Sequence, residues 1–296
     1  MTDTPQYVGR FAPSPTGPLH YGSLIAALAS WLDARHHQGR WLLRIEDLDP
    51  PREDPASPTV IMRQLEALGL WWDGEVLFQS SRDDAYREAL AALAATGQVF
   101  ACRCTRKQVG PVYPGTCRDR AIPLDSDDIA IRFRVPDNRT ISLTDPVAGQ
   151  HHWHSNREVG DFIVRRRDGL FAYQLAVVVD DDYQKVTHVI RGSDLLDSTP
   201  RQLFLLEALN LPAPDYVHIP VLLGADGAKL SKQAHAQPVD TTNTEQVLRY
   251  ALMVLKQPEP PGVASIEDLL SFASANWNIR LLPRQMSVPW AANPWF

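Results

Sequence analysis

The sequence predicts an α/β fold interrupted by an inserted subdomain, and three observations lead to this prediction. Strand-like and helix-like segments alternate over the first third of the chain. Short β-like runs broken by Pro, Asp and Gly replace them between about Phe100 and Ile163, and the alternation then resumes. With 296 residues and 44% hydrophobic composition, the chain can bury a sizeable core. We therefore expect an α/β domain that carries an α+β insertion.

The first third reads as a strand, a helix and a second strand, followed by two further helices. Leu24, Leu28, Trp31 and Leu32 form one apolar face of the first helix. The length of this crossover suits a parallel strand pair, and Gly39 is expected to cap the end of the helix. The predicted segments are Tyr7–Phe11, Ser23–His37, Trp41–Ile45, Thr59–Leu68, Val76–Phe78 and Arg82–Ala95.

The α/β pattern returns after the insertion. "FAYQLAVVVDD" predicts a helix and "VTHVIRG" a strand, and Pro200 in a first turn indicates a helix over Thr199–Leu209. Two more helices are predicted at Thr244–Leu255 and Ile266–Ser274. We expect a first α/β half at 1–99, an inserted subdomain at 100–165, a second α/β half at 166–233 and a short helical C-terminal segment at 234–296.

Composition limits the kinds of partner. The net charge is -6, so a nucleic-acid site would have to be a local basic patch rather than the whole surface. No stretch of about 18 uncharged apolar residues occurs, and the N-terminus lacks the basic and apolar regions of a secretory signal. We therefore expect a cytoplasmic protein with no membrane partner.

The segment "FAPSPTGPLHYGSL", residues 11–24, follows the first strand and precedes the first helix. A helix N-terminus with unpaired N–H groups favours anions such as phosphate. Thr16 and His20 can donate hydrogen bonds there, and Gly17 and Gly22 carry no Cβ that would obstruct a ligand. The alternative is that the prolines only stiffen a connection.

A second loop, "DGAKLSKQ" at residues 226–233, offers two lysines on either side of a serine. Lysine is a mobile point charge that can follow a phosphate through a reaction. Taken alone, such a pair is more often a solvated turn.

The three cysteines of the chain, Cys102, Cys104 and Cys117, lie close together in the sequence. An odd, clustered set argues against a disulfide framework, and three thiols suit a tetrahedral zinc ion. The chemistry alone leaves the fourth ligand to water or a distant side chain. Arg103, Arg106, Lys107, Arg118 and Arg120 surround the cluster and form a candidate basic patch for RNA phosphates.

Together the two loops resemble the signature motifs of class I aminoacyl-tRNA synthetases. "HYGS" at 20–23 stands in the place of the HIGH motif, and "KLSKQ" at 229–233 in the place of KMSKS. "GRFAPSPTGPLHYGS", "RIEDLDPPR" and "VIRGSDLL" are similar to the glutamyl branch of that class. The resemblance spans roughly Tyr7 to Ala234 and implies a Rossmann-like catalytic domain. The sequence departs from the motifs at Ser23, Leu230 and Gln233.

The resemblance implies roles for individual residues. His20, Lys232 and Thr16 would be catalytic, and ATP would be bound by His20, Gly22, Lys229, Ser231 and Lys232, with Mg²⁺ carried by the ATP. Glutamate would be bound by Arg10, Phe11, Ala12, Pro13, Ser14, Glu46, Tyr173 and Arg191. In these enzymes a zinc site has the order Cys-x-Cys, Tyr, Cys, which implies that Tyr113 completes a structural zinc site with Cys102, Cys104 and Cys117.

The acceptor follows from a further resemblance. Glutamyl-tRNA synthetases carry an anticodon-binding half after the KMSKS-like loop, whereas few residues follow Gln233. The chain resembles the paralogues without that half, which implies tRNA-independent activation of L-glutamate and transfer to queuosine at the wobble position of tRNA(Asp). A monomer is expected. The alternatives are a truncated enzyme that charges the 3′ end of tRNA(Glu), a non-catalytic tRNA-binding paralogue and a small-molecule adenylating ligase.

Overall fold

The structure is a computed structural model that describes residues 6–224, 227, 229–230, 237–260, 262 and 265–290. A parallel sheet forms its centre. The strand β1 (Val8–Phe11) pairs with β2 (Arg40–Ile45), which pairs with β3 (Leu77–Phe78). The helix α1 (Tyr21–His36) connects β1 to β2, as the length of the crossover predicts. Helices α2 (Ser57–Ala67) and α3 (Asp83–Ala95) lie before and after β3 in the chain.

The second half of this parallel layer lies on the other side of β1. The strand β9 (His188–Gly192) pairs in parallel with β10 (Asp215–Ile219). The backbone N–H of Thr187 donates to the carbonyl of Val8 at 2.9 Å, which places β9 beside β1. The chain therefore leaves β1 toward β2 in one direction and returns to its other side at β9. Ligands bind at such switch points, beyond the carboxyl ends of the strands.

The intervening segment forms its own antiparallel structure. A sheet has the order β4 (Val99–Cys102), β5 (Ala130–Phe133), β8 (Phe162–Arg165), and β6 (Thr140–Asp145) pairs with β7 (Gly149–His154) as a hairpin. Helices α4 (Tyr173–Tyr183) and α5 (Thr199–Ala208) contribute to the same buried cluster as this sheet.

The C-terminal residues pack against the first helix. α6 (Thr244–Val254) and α7 (Ile266–Ala275) share one hydrophobic cluster with α1, and the indole N–H of Trp277 donates to Asp33 Oδ1 at 2.7 Å. The segment is not purely helical as expected, because β12 (Ser287–Pro289) pairs in parallel with β11 (Val221–Leu223). Packing onto α1 buries the apolar faces that these helices present.

The predicted strands and helices are present, with ends that differ by a few residues. The expectation for Gly39 was wrong: Gln38 takes the left-handed conformation after α1, with φ 53°. Gly39 is instead confined by a close approach, since a Cβ there would lie 2.5 Å from the Tyr7 carbonyl oxygen. None of the helices in the described ranges combines the length and apolar character that crossing a bilayer requires.

Candidate active site

A cavity of about 640 Å³ opens at the carboxyl ends of β1 and β9, where the parallel layer switches direction. Its walls come from the loop between β1 and α1, the end of β2, the start of α4 and the segment after β9. The structure brings together these sequence-predicted residues as its lining: Arg10, Phe11, Ala12, Pro13, Ser14, Thr16, His20, Gly22, Glu46, Tyr173, Arg191 and Lys229. The predicted residues Ser231 and Lys232 lie outside the described part of the chain.

His20 caps the helix that begins at the cavity. Its Nδ1 accepts a hydrogen bond from the backbone N–H of Ser23 at 3.2 Å, which leaves Nε2 to carry the proton, 3.0 Å from Ser23 Oγ. A Cβ at Gly22 would lie 3.0 Å from His20 Cε1. Glycine at this position therefore makes room for the imidazole, in addition to the ligand access expected from the sequence.

The loop that carries Lys229 lies against the same cavity. Lys229 Nζ is 2.5 Å from Asp194 Oδ2, and the N–H of Leu230 donates to the carbonyl of Leu222 at 2.8 Å. Farther along, the N–H of Val239 donates to the carbonyl of Leu19 at 2.8 Å. The start of the "KLSKQ" loop is thus hydrogen-bonded at the cavity, and the chain that follows the loop is hydrogen-bonded beside the "HYGS" segment.

Two buried arginines share one carboxylate below the cavity. Arg10 Nε is 3.4 Å and Arg44 Nη2 is 2.7 Å from Asp181 Oδ1. Burial alone would raise the pKa of Asp181, but the charges of Arg44 and Arg10 outweigh it and hold that pKa below its usual value. Asp181 therefore stays ionised and fixes the Arg10 side chain at the wall.

Glu46 is the buried acid of the cavity. Its Oε1 lies 3.5 Å from Arg44 Nη2 and has no hydrogen-bond partner among the described residues. Burial raises the pKa of Glu46 to about 7, although the positive charges of Arg44 and Arg10 oppose the shift. A carboxylate in this position gains from a ligand cation, because its contact with Arg44 leaves Oε1 without a hydrogen bond.

Arg191 is held at the opposite wall by three side chains. Its Nη2 donates to Thr199 Oγ1 at 2.8 Å, its Nη1 to the Tyr173 hydroxyl at 3.4 Å and its Nε to His218 Nε2 at 3.1 Å. Only 4% of Arg191 is exposed. The guanidinium therefore has a fixed orientation beside the cavity.

His218 is itself held by Asp145. Nδ1 of His218 lies 2.8 Å from Asp145 Oδ2, which also accepts from the His218 backbone N–H at 2.8 Å. Burial lowers the pKa of His218, and Arg191 lowers it further, whereas Asp145 opposes the shift. A neutral imidazole that donates from Nδ1 must accept at Nε2, which is the atom that faces Arg191.

Sequence reasoning missed the residues that hold the two arginines. Asp181 stands at the end of an apolar helix, and His218 is a polar residue within the apolar strand "VHIPVLL". Each was a signal for a buried polar contact. Asp145 carries no comparable signal, because its partner is distant in sequence.

The three cysteines form the one group of His, Cys, Asp or Glu side chains in the described chain that is able to hold a metal ion. Their sulfur atoms lie within 4.8 Å of one another, and Cys104 Sγ is 3.5 Å from Cys117 Sγ. The Tyr113 hydroxyl oxygen is 3.3 Å from Cys102 Sγ and 3.6 Å from Cys104 Sγ. Tetrahedral zinc would separate two sulfur ligands by about 3.8 Å and a sulfur from an oxygen by about 3.5 Å, so the four side chains fit zinc.

Polar neighbours favour the thiolate form at this cluster. Burial would raise the pKa of Cys102, but hydrogen bonds from Tyr113 and Arg132 lower it to about 7. Burial raises the pKa of Tyr113 above its usual value. A metal ion would have to displace that hydroxyl proton if Tyr113 were a ligand.

The basic patch around the cluster is smaller than the sequence suggested. Arg118 lies in internal ion pairs, with Nη1 2.6 Å from Asp137 Oδ1 and Nε 3.4 Å from Asp161 Oδ2. Arg103, Arg106, Lys107 and Arg120 are exposed.

Comparison with known proteins identifies similar sequences and folds. The family model "tRNA synthetases class I (E and Q), catalytic domain" matches residues 6–111 and 121–256. Proteins named glutamyl-Q tRNA(Asp) synthetase from Pseudomonas fluorescens and Thiobacillus denitrificans are 50% and 52% identical over 288 residues. These alignments cover 96% of this chain and 96% of the first relative, and 93% of this chain and 95% of the second.

Solved structures agree with this result. A glutamate-tRNA synthetase from Elizabethkingia anophelis is 25% identical with a TM-score of 0.82, and the match covers 97% of this chain and 68% of that one. A glutamate tRNA ligase from Elizabethkingia meningosepticum, in complex with its amino acid, is 26% identical with a TM-score of 0.81 over 97% of this chain and 67% of that one.

Proposed function

Because this chain belongs to the family of class I tRNA synthetases for E and Q, we propose that it activates L-glutamate with ATP and transfers the glutamyl group to queuosine in tRNA(Asp). The assignment of queuosine in tRNA(Asp) as the acceptor is supported by the named activity of relatives that are about 50% identical over nearly their full length. The assignment of glutamate as the amino acid is supported by the cavity at the switch point of the sheet.

The observation that carries the amino-acid assignment is the charge pattern of the cavity wall. Glutamate has one ammonium and two carboxylates, and the lining offers the carboxylate of Glu46, whose side chain is 9% exposed, and the buried guanidiniums of Arg10 and Arg191. Glu46 would accept the ammonium, and Arg10 and Arg191 would bind the carboxylates through their planar forks. Tyr173, Ser14 and the backbone of Phe11, Ala12 and Pro13 would complete the pocket.

ATP would occupy the part of the cavity next to α1. His20, Thr16, Gly22 and Lys229 line it, and Ser231 and Lys232 follow Lys229 in the sequence. An oxygen of the glutamate α-carboxylate attacks the α-phosphorus of ATP, the bond to the bridging oxygen breaks, and pyrophosphate leaves with its Mg²⁺. The lysines and the N-terminus of α1 would stabilise the charge that develops on the phosphates.

In the second step, glutamyl-adenylate reacts with the acceptor. A hydroxyl oxygen of the queuosine cyclopentene-diol attacks the activated carbonyl carbon, the bond to AMP breaks, and the hydroxyl proton is released. No side chain of the described site stands out as a dedicated base. The rate acceleration would therefore come from the orientation of the two reactants. Activation itself would not require tRNA.

We also propose a structural zinc ion bound by Cys102, Cys104, Tyr113 and Cys117. The sulfur and oxygen separations support this assignment. Zinc would tie the loop after β4 to the segment that leads to β5. Holding this loop would keep the exposed basic residues Arg103, Arg106, Lys107 and Arg120 in place for RNA phosphates.

The test is a transfer assay with labelled glutamate, ATP and three acceptors: queuosine-containing tRNA(Asp), tRNA(Asp) without queuosine, and tRNA(Glu). The proposal expects label only in the first RNA, in a linkage that periodate treatment of the diol prevents. Label at the 3′ end of tRNA(Glu) would instead favour ordinary glutamyl-tRNA formation. Absence of glutamate-dependent ATP–pyrophosphate exchange would contradict catalysis altogether.

A further inference from the structure

A second cavity, of about 420 Å³, lies between the insertion and the helices α4 and α5. Arg132 on β5 and Phe162 on β8 form one side, Gln174 and Arg201 the other, and the loop that includes Cys104 and Arg106 closes it. This cavity is separate from the one in which glutamate and ATP would react.

Three guanidiniums line the second cavity. Arg106, Arg132 and Arg201 do so together with a single carboxylate, Asp161. Zinc bound by three thiolates and the Tyr113 phenolate would bring two net negative charges to the side of Tyr113, so the lining as a whole would be close to neutral. Anion binding would therefore depend on the guanidiniums of Arg106 and Arg201 as individual hydrogen-bond donors, because planar guanidiniums bind phosphate oxygens.

Arg132 has unused hydrogen-bonding capacity. Only 6% of the residue is exposed, and its guanidinium lies 4.0 Å from the centre of the Tyr113 ring. Nη1 donates to the Asp161 carbonyl at 3.0 Å, the guanidinium also hydrogen-bonds Cys102, and Nε is buried without a hydrogen-bond partner among the described residues. A buried donor without a partner is costly, so Arg132 would gain from an acceptor that reaches it.

Arg201 is also available to a ligand. Its Nη1 donates to the backbone carbonyl of Asp197 at 2.8 Å, and no carboxylate of the described chain forms an ion pair with it. Burial lowers the pKa of Arg201, and the charge of Asp197 opposes the shift. The side chain would therefore gain from a negative partner.

The remaining wall is apolar and suits a flat ring. Val109, Pro111, Val159, Phe162 and Ile163 contribute to it. Bases of unpaired nucleotides pack on apolar and aromatic side chains while arginines contact their phosphates. Apolar surface and guanidiniums within one cavity match both parts of a nucleotide.

The cavity lies next to the reaction site. Tyr173 lines the first cavity and Gln174, the next residue of α4, lines the second. Consecutive Cα atoms are about 3.8 Å apart, so the first turn of α4 separates the two cavities. Gln174 is held there by hydrogen bonds with Ser198 at 3.0 Å and Gln202 at 3.1 Å.

We propose that the second cavity binds a nucleotide of the acceptor RNA, with its phosphate on Arg106, Arg132 and Arg201 and its base against the apolar wall. This inference rests on the proposed function, because it takes RNA as the acceptor. The bound nucleotide would be a neighbour of the reacting nucleoside in the RNA chain. Its binding in the second cavity would place the reacting nucleoside on the other side of the first turn of α4, in the first cavity.

The test measures binding of fluorescently labelled tRNA(Asp) by anisotropy over a range of salt concentrations. The Arg106→Gln/Arg201→Gln double variant is expected to bind several-fold more weakly, with the slope of log K against log salt reduced by about 1 for each lost phosphate contact. Glutamate-dependent ATP–pyrophosphate exchange and the KM for ATP should not change, because neither residue lines the first cavity. Arg63→Gln, which removes an exposed charge of α2 outside both cavities, is the matched control.

Equal RNA affinity and equal salt slope in wild type and double variant would overturn the inference, as would an equal loss in Arg63→Gln. If the double variant also lost exchange activity, Arg106→Lys/Arg201→Lys keeps both charges and must recover RNA binding; failure to recover would likewise overturn it. The binding assay is independent of the transfer assay. Wild type that binds tRNA through these residues but never glutamylates queuosine would contradict the proposed function and leave the RNA-binding cavity supported.

Discussion

His218 Nδ1 lies 2.8 Å from Asp145 Oδ2, and both side chains are fully buried. Asp145 ends the strand β6 of the insertion, whereas His218 belongs to β10 of the parallel layer. The pair therefore joins the antiparallel hairpin to the wall that presents Arg191. Burial alone would raise the pKa of Asp145, but the hydrogen bond from His218 and those from the backbone of Ala148 and Val147 lower it.

We predict that the contact with His218 positions Arg191 for glutamate. His218→Leu removes the acceptor for Arg191 Nε, and a lost hydrogen bond to a buried charge costs about 1.5–3 kcal/mol. The dissociation constant of glutamate should rise roughly 10-fold to 100-fold, while the KM for ATP stays unchanged. Calorimetric titration of glutamate and exchange kinetics would measure the two effects.

Two conservative variants separate positioning from folding. His218→Gln can still accept a hydrogen bond near the position of Nε2, whereas His218→Asn can only replace the contact with Asp145. Recovery of glutamate affinity by Gln but not by Asn is expected. His188→Gln, a histidine on β9 outside the cavity lining, is the control. Equal affinity in wild type and all three His218 variants would contradict the role.

We predict that the ionised side chain of Glu46, which would bind the glutamate ammonium, lowers the stability of the folded protein at neutral pH. Its pKa of about 7 in the folded chain exceeds the ordinary glutamate value of 4.5, so the native state binds more protons between these pH values. Stability should therefore fall as pH rises through this window, by up to about 3 kcal/mol. Glu46→Gln should melt at a higher temperature than wild type at pH 8 and at a similar temperature near pH 4.5, while glutamate binding is lost.

Thermal melting at several pH values measures this effect, with the exposed Glu66→Gln on α2 as the control. In wild type, glutamate affinity should also decrease as pH falls below about 7, since protonated Glu46 no longer attracts an ammonium. A Glu46→Gln protein that melts earlier than wild type at pH 8 would show that pairing with Arg44 outweighs the cost of burial.

Tyr113 is predicted to ligate zinc rather than only to contact the thiols. Tyr113→Phe keeps the ring under Arg132 but removes the oxygen near Cys102 and Cys104. Zinc affinity should fall by roughly 10-fold to 100-fold or more, since even contacts outside the ligand set contribute that much. Competition with a chromophoric chelator measures the change, and Tyr183→Phe, at a tyrosine that is 58% exposed, is the control. Unchanged zinc affinity would show that Tyr113 lies beside the zinc site without being a ligand.

The lysine loop is predicted to act on the phosphates of ATP. Lys232→Ala should reduce ATP–pyrophosphate exchange by about two orders of magnitude or more, as expected when one charge stabiliser is lost. Lys229→Ala should have the smaller effect, because Lys229 shares its charge with Asp194. Lys107→Ala, an exposed lysine of the insertion, should leave exchange unchanged. Normal ATP–pyrophosphate exchange in Lys232→Ala would show that this loop does not take part in the reaction.

Local patterns in the sequence determined the main elements and much of the candidate site. Apolar periodicity predicted α1, and the alternation of strands and helices predicted the parallel layer. The residues matched through the "HYGS" and "RIEDLDPPR" stretches do line one cavity. These features were accessible because each depends on residues close in sequence, which carry a pattern or a motif.

Only the tertiary structure decided how the charged residues of the site are held. Asp181 contacts Arg10 across 171 positions, and Asp145 contacts His218 across 73. Such pairs follow no period or fixed spacing in the sequence. A charged side chain that distant segments bury needs a partner of opposite charge, and that partner can come from any segment that the fold brings close. The same applies to the second cavity, where Arg106, Arg132 and Arg201 meet only after the insertion packs against α4 and α5.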